Sequence, residues 1–412
     1  MDVVCFHQNA RGRTNKLRKI FLKMHPYSPW IRGASWAPPL LLTFICFSIY
    51  LYLYSNAFDN MRTSSVFRVM EGDLKAVWRE NVGSLTYILN LKNDNSIKFE
   101  SSSEGMLSTS SSMPSSFITF YLQNIVSPSN ERIREIMTNR TKPLLTLFTS
   151  WNDSQDKYLV HNITSVNWLS LRPFVVPVVF TNESAVVEAC NNSGWMILPV
   201  RVAAAEGVPV LKYMYIDAMK KFDSDFYAYS NSDILFTDTL IKTLLGVLAH
   251  NSSSEHHTFI IGKRTNVDNV TMVEGSSWIE LAKVAKKRGK VFTGYAEDYF
   301  ITSSSYPWKD IPEVVIGRRA YDNWLVLNAR KQKHLVIDAS DTILAVHQTT
   351  KAGNFEGHGH KNGEYNHKLL AKLYRSIRYG SGVIDCAEKV MKFDKGEIVI
   401  TSRSKLSRQC NL

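Results

Sequence analysis

Glycine and proline are scarce in this sequence of 412 residues, which contains 20 and 13 of them, whereas 44% of the residues are hydrophobic. This balance excludes a chain dominated by glycine and proline and is typical of a globular protein. The length is enough for about two or three domains, or for one large domain with extensions.

Cysteine is also scarce, and its five positions limit the disulfides that can form. Cys5 and Cys46 precede or lie within an apolar run near the N-terminus, which leaves Cys190, Cys386 and Cys410. Three thiols cannot all pair within one chain, so we expect one disulfide and one free or intermolecular thiol. A Cys386–Cys410 bond would tie down the C-terminal segment, and a Cys190–Cys386 bond would staple it to the core. The sequence does not choose between them.

Acidic residues are outnumbered, 37 against 49 basic ones, which gives a formal net charge of +12. Half of that excess lies in residues 1–35, where seven basic residues stand against one acidic residue, a net +6. A basic segment directly before an apolar run is a signal of membrane topology rather than a nucleic-acid patch. We therefore expect no nucleic-acid partner.

The apolar run predicts a single transmembrane signal-anchor at residues 37–54. Counted from Trp36 it holds 19 residues without a charge, enough to cross a bilayer core of about 30 Å. The positive flank would keep the basic tail 1–36 cytoplasmic and place the remainder in the lumen, a single-pass type II arrangement. The short aromatic span suits a Golgi or ER membrane. The alternative is a cleaved signal peptide, although its basic region would be very long and its apolar part rich in tyrosine.

Seven N-glycosylation sequons favour a lumenal glycoprotein. They all lie between residues 139 and 271, and none falls in the tail 1–36. Each reads Asn-x-Ser/Thr without proline at x, and they begin at Asn139, Asn152, Asn162, Asn182, Asn191, Asn251 and Asn269.

Three further segments follow the anchor. Residues 55–140 are predicted to be a lumenal stem, because the serine-rich stretch 101–116 cannot bury a core. Residues 141–380 alternate strand-like and helix-like runs, which predicts one α/β domain with a mostly parallel central sheet covered on both faces. Within this domain, Pro177 predicts an edge strand or a bulge for Phe174–Phe180. Residues 381–412 are predicted to be a polar C-terminal tail.

One polar cluster organises this domain. A strand-like run, Phe226–Tyr229, leads into a Ser-Asn-Ser-Asp sequence that contains Asn231 and Asp233, and the apolar Ile234–Phe236 follows. Ligands of open α/β sheets bind at the carboxyl ends of strands. An Asn-x-Asp there can hold a divalent cation that in turn holds a diphosphate. The alternative is an Asx-type turn in which Asp233 caps the next helix.

Other candidate residues follow further along the chain. Lys263 and Arg264 come after a strand and could meet a phosphate or a sugar hydroxyl, or lie in a solvated turn. Glu297 and Asp298 precede a strand-like triplet and could line a pocket or cap an edge. His347 ends another strand-like run and could supply imidazole to the ion held by Asp233, although a lone histidine is usually structural.

A helix is expected to start near Arg319, which puts Asp322 and Asn323 on its first turn. An aspartate so placed is a reasonable general base for an acceptor hydroxyl, and Trp324 offers a flat face for a sugar ring. The alternative is a capping acid beside a core tryptophan. Gly353 and Asn354 belong to a glycine- and histidine-rich loop that we expect to close over a ligand.

Taken in order, these stretches resemble a family of nucleotide-diphospho-sugar transferase-like proteins with a GT-A fold, which is Rossmann-like. The resemblance covers about residues 143–362. It is carried by Leu147–Thr149, Ser165–Pro173, Gly207–Leu211, Asn231–Leu235, Gly262–Arg264, Asp298–Phe300, Trp308–Pro312, Ile316–Arg318, Tyr321–Trp324, Asp338–Ala339, His347–Gln348 and Gly353–Asn354.

The resemblance implies that Asp233 is the second acid of a DxD-type motif and holds Mn²⁺ or Mg²⁺ against the diphosphate of a nucleotide-sugar donor. Asn231 stands where a strict motif has aspartate, which removes one charge, although an amide oxygen can still bind a cation. The general GT-A plan makes His347 a further metal ligand. The expected site therefore comprises catalytic Asp322 and Asp298, donor-binding Asn231, Asp233, Lys263, Arg264 and Arg318, and substrate-binding Asn323, Trp324, Gly353 and Asn354.

The expected function is a metal-dependent transfer of sugar from a nucleotide diphosphate to a lumenal glycan, protein or lipid. Asn231 motivates an alternative, a catalytically inactive, membrane-anchored sugar-binding or interaction protein with the same fold. A sulfotransferase would need a phosphate-cradling loop, and Thr149–Asp153 contains neither glycine nor lysine. A glycosidase acting through Glu297 and Asp298 is disfavoured because neighbouring strand residues point to opposite faces.

Overall fold

A nine-stranded sheet flanked by helices runs through the part of the protein that the structure describes. The structure is a computed structural model that describes residues 130–250, 257–350 and 359–412, all within one compact unit, Ser101–Leu412. The predicted anchor 37–54, most of the predicted stem, and Gly353 and Asn354 lie outside these ranges. Within them, no helix is both long and apolar enough to cross a membrane.

The predicted alternation of strands and helices is confirmed. In chain order the strands are β1 Leu145–Ser150, β2 Val175–Phe180, β3 Met196–Leu198, β4 Ala203–Ala204, β5 Val208–Pro209, β6 Phe226–Ser230, β7 Ile234–Phe236, β8 Thr258–Ile261, β9 Arg264–Asp268, β10 Lys290–Val291, β11 Tyr299–Ser303, β12 Leu335–Asp338, β13 Ala345–Thr349, β14 Lys389–Asp394 and β15 Glu397–Ser402. The helices are α1 Glu131–Thr138, α2 Tyr158–Leu169, α3 Ser184–Ser193, α4 Leu211–Lys221, α5 Thr239–His250, α6 Met272–Ser276, α7 Trp278–Arg288, α8 Tyr321–Lys331 and α9 Tyr365–Leu373.

The large sheet is mostly parallel, as the sequence predicts. Its strand order is β15-β14-β12-β8-β11-β6-β1-β2-β3. The neighbouring pairs are parallel except that β11 runs antiparallel to both β6 and β8, and β15 antiparallel to β14. From β1 the chain adds β2 and β3 on one side of the sheet and then crosses to add β6 on the other side of β1, so the direction in which strands are added reverses between β1 and β6. Such a switch point is where open α/β sheets bind ligands, at the carboxyl ends of the strands.

Alternate residues of the central strands enter two separate cores, one on each face of the large sheet. Ala228 of β6 packs in the core that includes α5, and its neighbours Tyr227 and Tyr229 pack in the core that includes α4 and α8. This arrangement requires strands that are buried on both sides, and all five residues of β6 are buried. The polar residues that follow β6 therefore lie at the end of a rigid element.

A second sheet, of order β10-β9-β13-β7, joins the large one through the turn between β6 and β7. β13 runs antiparallel to β7 and parallel to β9. The register places His347 opposite Ile234 and Ala345 opposite Arg264. This small sheet therefore brings side chains from residues 264 and 347 to the end of β6.

Pro177 does not lie in an edge strand, so that prediction is wrong. β2 is paired on both sides, with β1 and with β3. The short β3 pairs only with Val178–Phe180, so Pro177 has no β3 residue opposite it. At Pro177 the strand therefore has a partner on one side only, which is where a sheet tolerates a proline.

The polar segment 381–412 is not a separate tail, because it adds β14 and β15 to the large sheet. Met391 and Ile398 are buried under α5, where Ile398 lies so close to Gly246 that a side-chain carbon there would meet it at 2.4 Å. Of the two pairings that the sequence leaves open, the structure contains Cys386–Cys410. Cys190 is a buried free thiol.

Candidate active site

The turn after β6 holds Asp233 at the head of a strand rather than a helix. Asn231 donates its backbone N–H to the carbonyl of Asp298 at 2.9 Å, and Ile234 donates its own to the carbonyl of Asn231 at 3.3 Å. β7 follows directly, and α5 begins only at Thr239. The alternative in which Asp233 caps the next helix is therefore wrong.

Asp233 and His347 meet across the β7–β13 pair. The Nε2 atom of His347 lies 3.3 Å from Oδ2 of Asp233. The histidine side chain is 6% exposed and the aspartate side chain 28% exposed, so the pair opens to solvent on the aspartate side. The other carboxylate oxygen, Oδ1 of Asp233, is buried and has no hydrogen-bond partner among the described residues.

The surroundings keep Asp233 ionised. Burial by itself would raise the pKa of this carboxyl group, but His347 opposes it by hydrogen bond and charge, with Arg264 and Lys157 adding positive charge. The net effect holds the pKa of Asp233 below its ordinary value. An ionised carboxylate with one unsatisfied oxygen, beside an imidazole, is a donor set for a divalent cation.

Asp298 is held in a buried polar cluster on the other side of Asn231. Its Oδ1 atom accepts from Nδ2 of Asn231 at 2.7 Å and from a terminal guanidinium nitrogen of Arg264 at 2.5 Å. Arg264 also donates from Nε to Asn266 at 3.0 Å and lies 4.5 Å from the ring centre of Phe292. Arg264 is therefore occupied inside the protein and does not lie in a solvated turn.

Asp322 lies on the first turn of α8, as the sequence predicts. The helix begins directly after Ala320, whose backbone is left-handed with a φ of 81°. Burial raises the pKa of Asp322 to about 7 and the charge of Asp298 adds to this, while hydrogen bonds from the backbone N–H groups of Asn323 and Asp322 oppose it. A carboxyl group with a pKa near 7 is suited to accept a proton at neutral pH.

Glu297 belongs to the same cluster, and its burial and its contact with Asn323 are not evident from the sequence. Its side chain is buried, and both carboxyl oxygens accept from Nδ2 of Asn323, at 3.1 and 2.9 Å. Burial raises the pKa of Glu297 well above its usual range, and the charges of Asp322 and Asp298 raise it further. These surroundings favour the protonated form of Glu297. The only signal in the sequence is its position beside Asp298.

Three other predicted site residues, Lys263, Arg318 and Trp324, contact neighbouring protein groups. Trp324 is 3% exposed and packs in the core with its ring 5.6 Å from that of Tyr374, so its flat face is covered and the core-tryptophan alternative holds. Lys263 pairs with Asp385 at 2.7 Å. Arg318 is half-buried and donates to the carbonyl of Gly317 at 2.9 Å.

The protein groups fit a cation that is shared with a substrate. The described residues contain no group of three or more His, Cys, Asp or Glu side chains that could hold a metal ion by themselves. Mg²⁺ sites, however, commonly use one or two carboxylates and take their other ligands from substrate phosphates and water. Asp233, with its unsatisfied Oδ1, and His347 match that pattern.

No protein-family profile matches the chain, and neither does any curated protein. Among solved structures it is similar to S. aureus TarS, at 16% identity over 30% of this chain and 22% of that chain, with a TM-score of 0.22. It is also similar to glucosyl-3-phosphoglycerate synthase from Mycobacterium tuberculosis in complex with Mg²⁺ and uridine diphosphate, at 11% identity, 68% and 92% coverage, and a TM-score of 0.33.

A third solved structure, CMP:2-keto-3-deoxy-manno-octonic acid synthetase complexed with CTP, is 14% identical, with 57% and 100% coverage and a TM-score of 0.29. Of the three structures, TarS is covered least, because the match with this chain spans only about a fifth of the TarS structure. At these TM-scores the likenesses do not establish a shared fold.

Proposed function

We propose that the protein is a metal-dependent glycosyltransferase that moves a sugar from a nucleotide-diphosphate donor to a lumenal glycan, protein or lipid acceptor. The observation that carries this proposal is the meeting of Asp233 and His347 at the carboxyl end of β6, with Oδ1 of Asp233 buried and unsatisfied. The mostly parallel sheet with its switch point beside β1 supports a nucleotide-sugar site of the GT-A type.

Asp233 and His347 would hold Mn²⁺ or Mg²⁺ at this site. When bound, the ion would supply positive charge that stabilises the leaving diphosphate. Asp233 suits this role because its pKa is held low, so that its carboxylate does not have to lose a proton before it binds a cation. Lys263 and Arg318, which are both half-buried, are proposed to contact the donor.

Asp322 would serve the acceptor. In an inverting reaction its carboxylate takes the proton of the acceptor hydroxyl while the acceptor oxygen bonds to the sugar carbon and the bond to the diphosphate breaks. In a retaining reaction it would instead orient the donor. Asn323, fixed against Glu297, and Asp298 with its second oxygen are proposed to bind hydroxyl groups of the sugar or the acceptor.

The setting of this reaction is proposed to be the lumen of the Golgi or the ER, with the chain anchored through residues 37–54. The basic tail, the apolar run and the seven sequons support this. Gly353 and Asn354 are proposed to bind the substrate.

A panel of nucleotide sugars tests the proposal by thermal shift, with and without Mn²⁺. One member of the panel should raise the unfolding temperature only when Mn²⁺ is present, because a ligand at about 100 times its Kd stabilises by about 2.7 kcal/mol. The Asp233→Asn variant should show no such shift. A shift that is equally large in Asp233→Asn would rule out the metal role of this residue.

The second candidate is a catalytically inactive, membrane-anchored sugar-binding or interaction protein. It is favoured by Asn231, which stands where a strict motif has its first acid. The two candidates differ in turnover: both would bind a nucleotide sugar, but only the transferase would release nucleoside diphosphate from it.

A further inference from the structure

The side chain of Asn231 is engaged at both ends by neighbouring residues. Its Nδ2 atom donates to Oδ1 of Asp298 at 2.7 Å, and its Oδ1 atom accepts from the hydroxyl of Tyr229 at 3.1 Å. The amide oxygen, which is the atom that would bind a cation, thus accepts the hydrogen bond of a buried tyrosine. Asn231 therefore points toward Asp298 and Tyr229 rather than standing free beside Asp233.

The backbone adds a second link between Asn231 and Asp298. The N–H of Asn231 donates to the carbonyl of Asp298 at 2.9 Å. This bond continues the antiparallel register in which Ser230 of β6 lies opposite Tyr299 of β11. Asn231 and Asp298 are therefore fixed opposite each other, and the nature of the side chain at 231 decides how Asp298 is held.

The charges at this point allow one carboxylate but not two. Asp298 and Arg264 form an ion pair whose side chains are 6% and 5% exposed. An aspartate at position 231 would put a second carboxylate at the present distance of 2.7 Å from the first. It would also lose the donor, because an ionised carboxylate has no proton to give, and two carboxylates sharing a site repel each other strongly.

We propose that Asn231 is a positioning residue that fixes Asp298 by donating a hydrogen bond to it, and that it is not a ligand of the metal. The departure from a two-acid motif is then a requirement of this chain's buried Arg264–Asp298 pair, not a loss. Asp298 is left with Oδ2 buried and without a hydrogen-bond partner among the described residues, available to a substrate hydroxyl. That last consequence rests on the proposed function, whereas the positioning itself does not.

Protein stability tests the positioning without any activity. The Asn231→Asp variant should lower the unfolding temperature at pH 7.5 by about 3–8 °C, because it replaces a buried hydrogen bond with a repulsion. The losses caused by N231D and D298N should not add in the double variant N231D/D298N, because the repulsion between two carboxylates is absent when residue 298 is an amide. Asn411→Asp, at an exposed position, is the matched control and should leave the unfolding temperature unchanged.

Equal unfolding temperatures for the native protein and Asn231→Asp would overturn the proposal. So would losses of stability that simply add in N231D/D298N, because the two side chains would then not interact as a donor–acceptor pair.

Binding of Mn²⁺ alone to the protein, followed by electron paramagnetic resonance, tests the second half of the proposal. Asn231→Asp should leave the Mn²⁺ Kd within about threefold of the native value, because residue 231 is not a ligand. A Kd that tightens about tenfold or more in Asn231→Asp, as an added anionic ligand would cause, would overturn it. If the native protein binds no Mn²⁺, the proposed metal site fails, and the stability measurements still decide whether Asn231 positions Asp298.

Discussion

Four carboxyl groups share one small region of this protein, and their surroundings shift the pKa values of three of them differently. The pKa of Asp233 lies below its ordinary value. The pKa of Asp322 is raised to about 7, and that of Glu297 is raised well above its usual range. The fourth carboxyl group belongs to Asp298. Groups whose environments separate their pKa values in this way divide acid, base and ligand roles between them. Asp233 is suited to a cation and Asp322 to a proton.

Replacing Asp322 tests the second of these roles. The Asp322→Asn variant should lower kcat/KM by about 10²–10⁴-fold if Asp322 is the general base. Because the pKa of Asp322 is about 7, the carboxylate form increases as the pH rises through that value. The activity of the native protein should therefore rise between about pH 6 and 8, and this limb should be absent from the residual activity of the variant. An unchanged pH profile in Asp322→Asn would contradict the assignment.

Removing Arg264 tests how the cluster is stabilised. Arg264→Ala should lower the free energy of unfolding by about 3–5 kcal/mol, because it leaves the buried carboxylate of Asp298 without its ion pair. Chemical denaturation measures this change. Lys283→Ala, which breaks the exposed pair with Glu280, is the control and should change the free energy by no more than about 1 kcal/mol. Equal effects of the two substitutions would contradict the account of the cluster.

At the level of helices and strands, apolar periodicity predicts most of the elements. The apolar pattern predicts a helix over residues 210–221, which is α4 Leu211–Lys221 in the structure, and a strand over residues 258–261, which is β8 Thr258–Ile261. Both lie in the core, where burial gives a regular pattern. β14 and β15 escape prediction because each fully buries only one side chain, Met391 and Ile398. The apolar run Ile398–Ile400 is too short to mark a strand within a segment rich in charged residues.

Only part of the site is predictable from the sequence. Asn231 and Asp233 stand out because polar residues follow a buried strand, and the sequence suggests that His347 approaches Asp233. The pairing of Asp298 with Asn231 depends on β11 running antiparallel to β6, which no local pattern marks. For the same reason the burial of Arg264 and the raised pKa of Glu297 could not be foreseen.

Removing the Cys386–Cys410 disulfide tests how much this bond stabilises the C-terminal hairpin of β14 and β15. The Cys386→Ser/Cys410→Ser variant should lower the free energy of unfolding by about 3 kcal/mol, since the bond closes a loop with a sequence separation of 24 residues. A dithiol reductant should lower the unfolding temperature of the native protein and have no such effect on the variant. Equal sensitivity of both proteins to the reductant would contradict this prediction.

For the whole molecule, the positions of the sequons agree with the proposed lumenal location. Six of the sequon asparagines lie in the part of the chain that the structure describes, and Asn162 among them is half-buried. The other five are exposed, namely Asn139, Asn152, Asn182, Asn191 and Asn269. None of the six is therefore enclosed in the core. Glycosylation attaches a bulky group that only a surface position tolerates.

Glycosylation is the prediction that follows. The protein expressed in animal cells should lose mass on treatment with an N-glycosidase, and replacing the exposed sequon asparagines with glutamine should remove most of that loss. Electrophoresis of treated and untreated protein measures the change. A mass that the enzyme leaves unchanged would contradict the lumenal location without affecting the proposed chemistry.

The release of nucleoside diphosphate from nucleotide sugars tests the central claim most directly. It should be measured for the native protein and for Asp233→Asn, each with Mn²⁺ and with a chelator. We predict release by the native protein with Mn²⁺, and a loss of about a hundredfold or more in the chelator and in Asp233→Asn, whose unfolding temperature should remain close to native. Undiminished release by Asp233→Asn, or by the native protein in the chelator, would contradict the claim that Asp233 holds a catalytic metal.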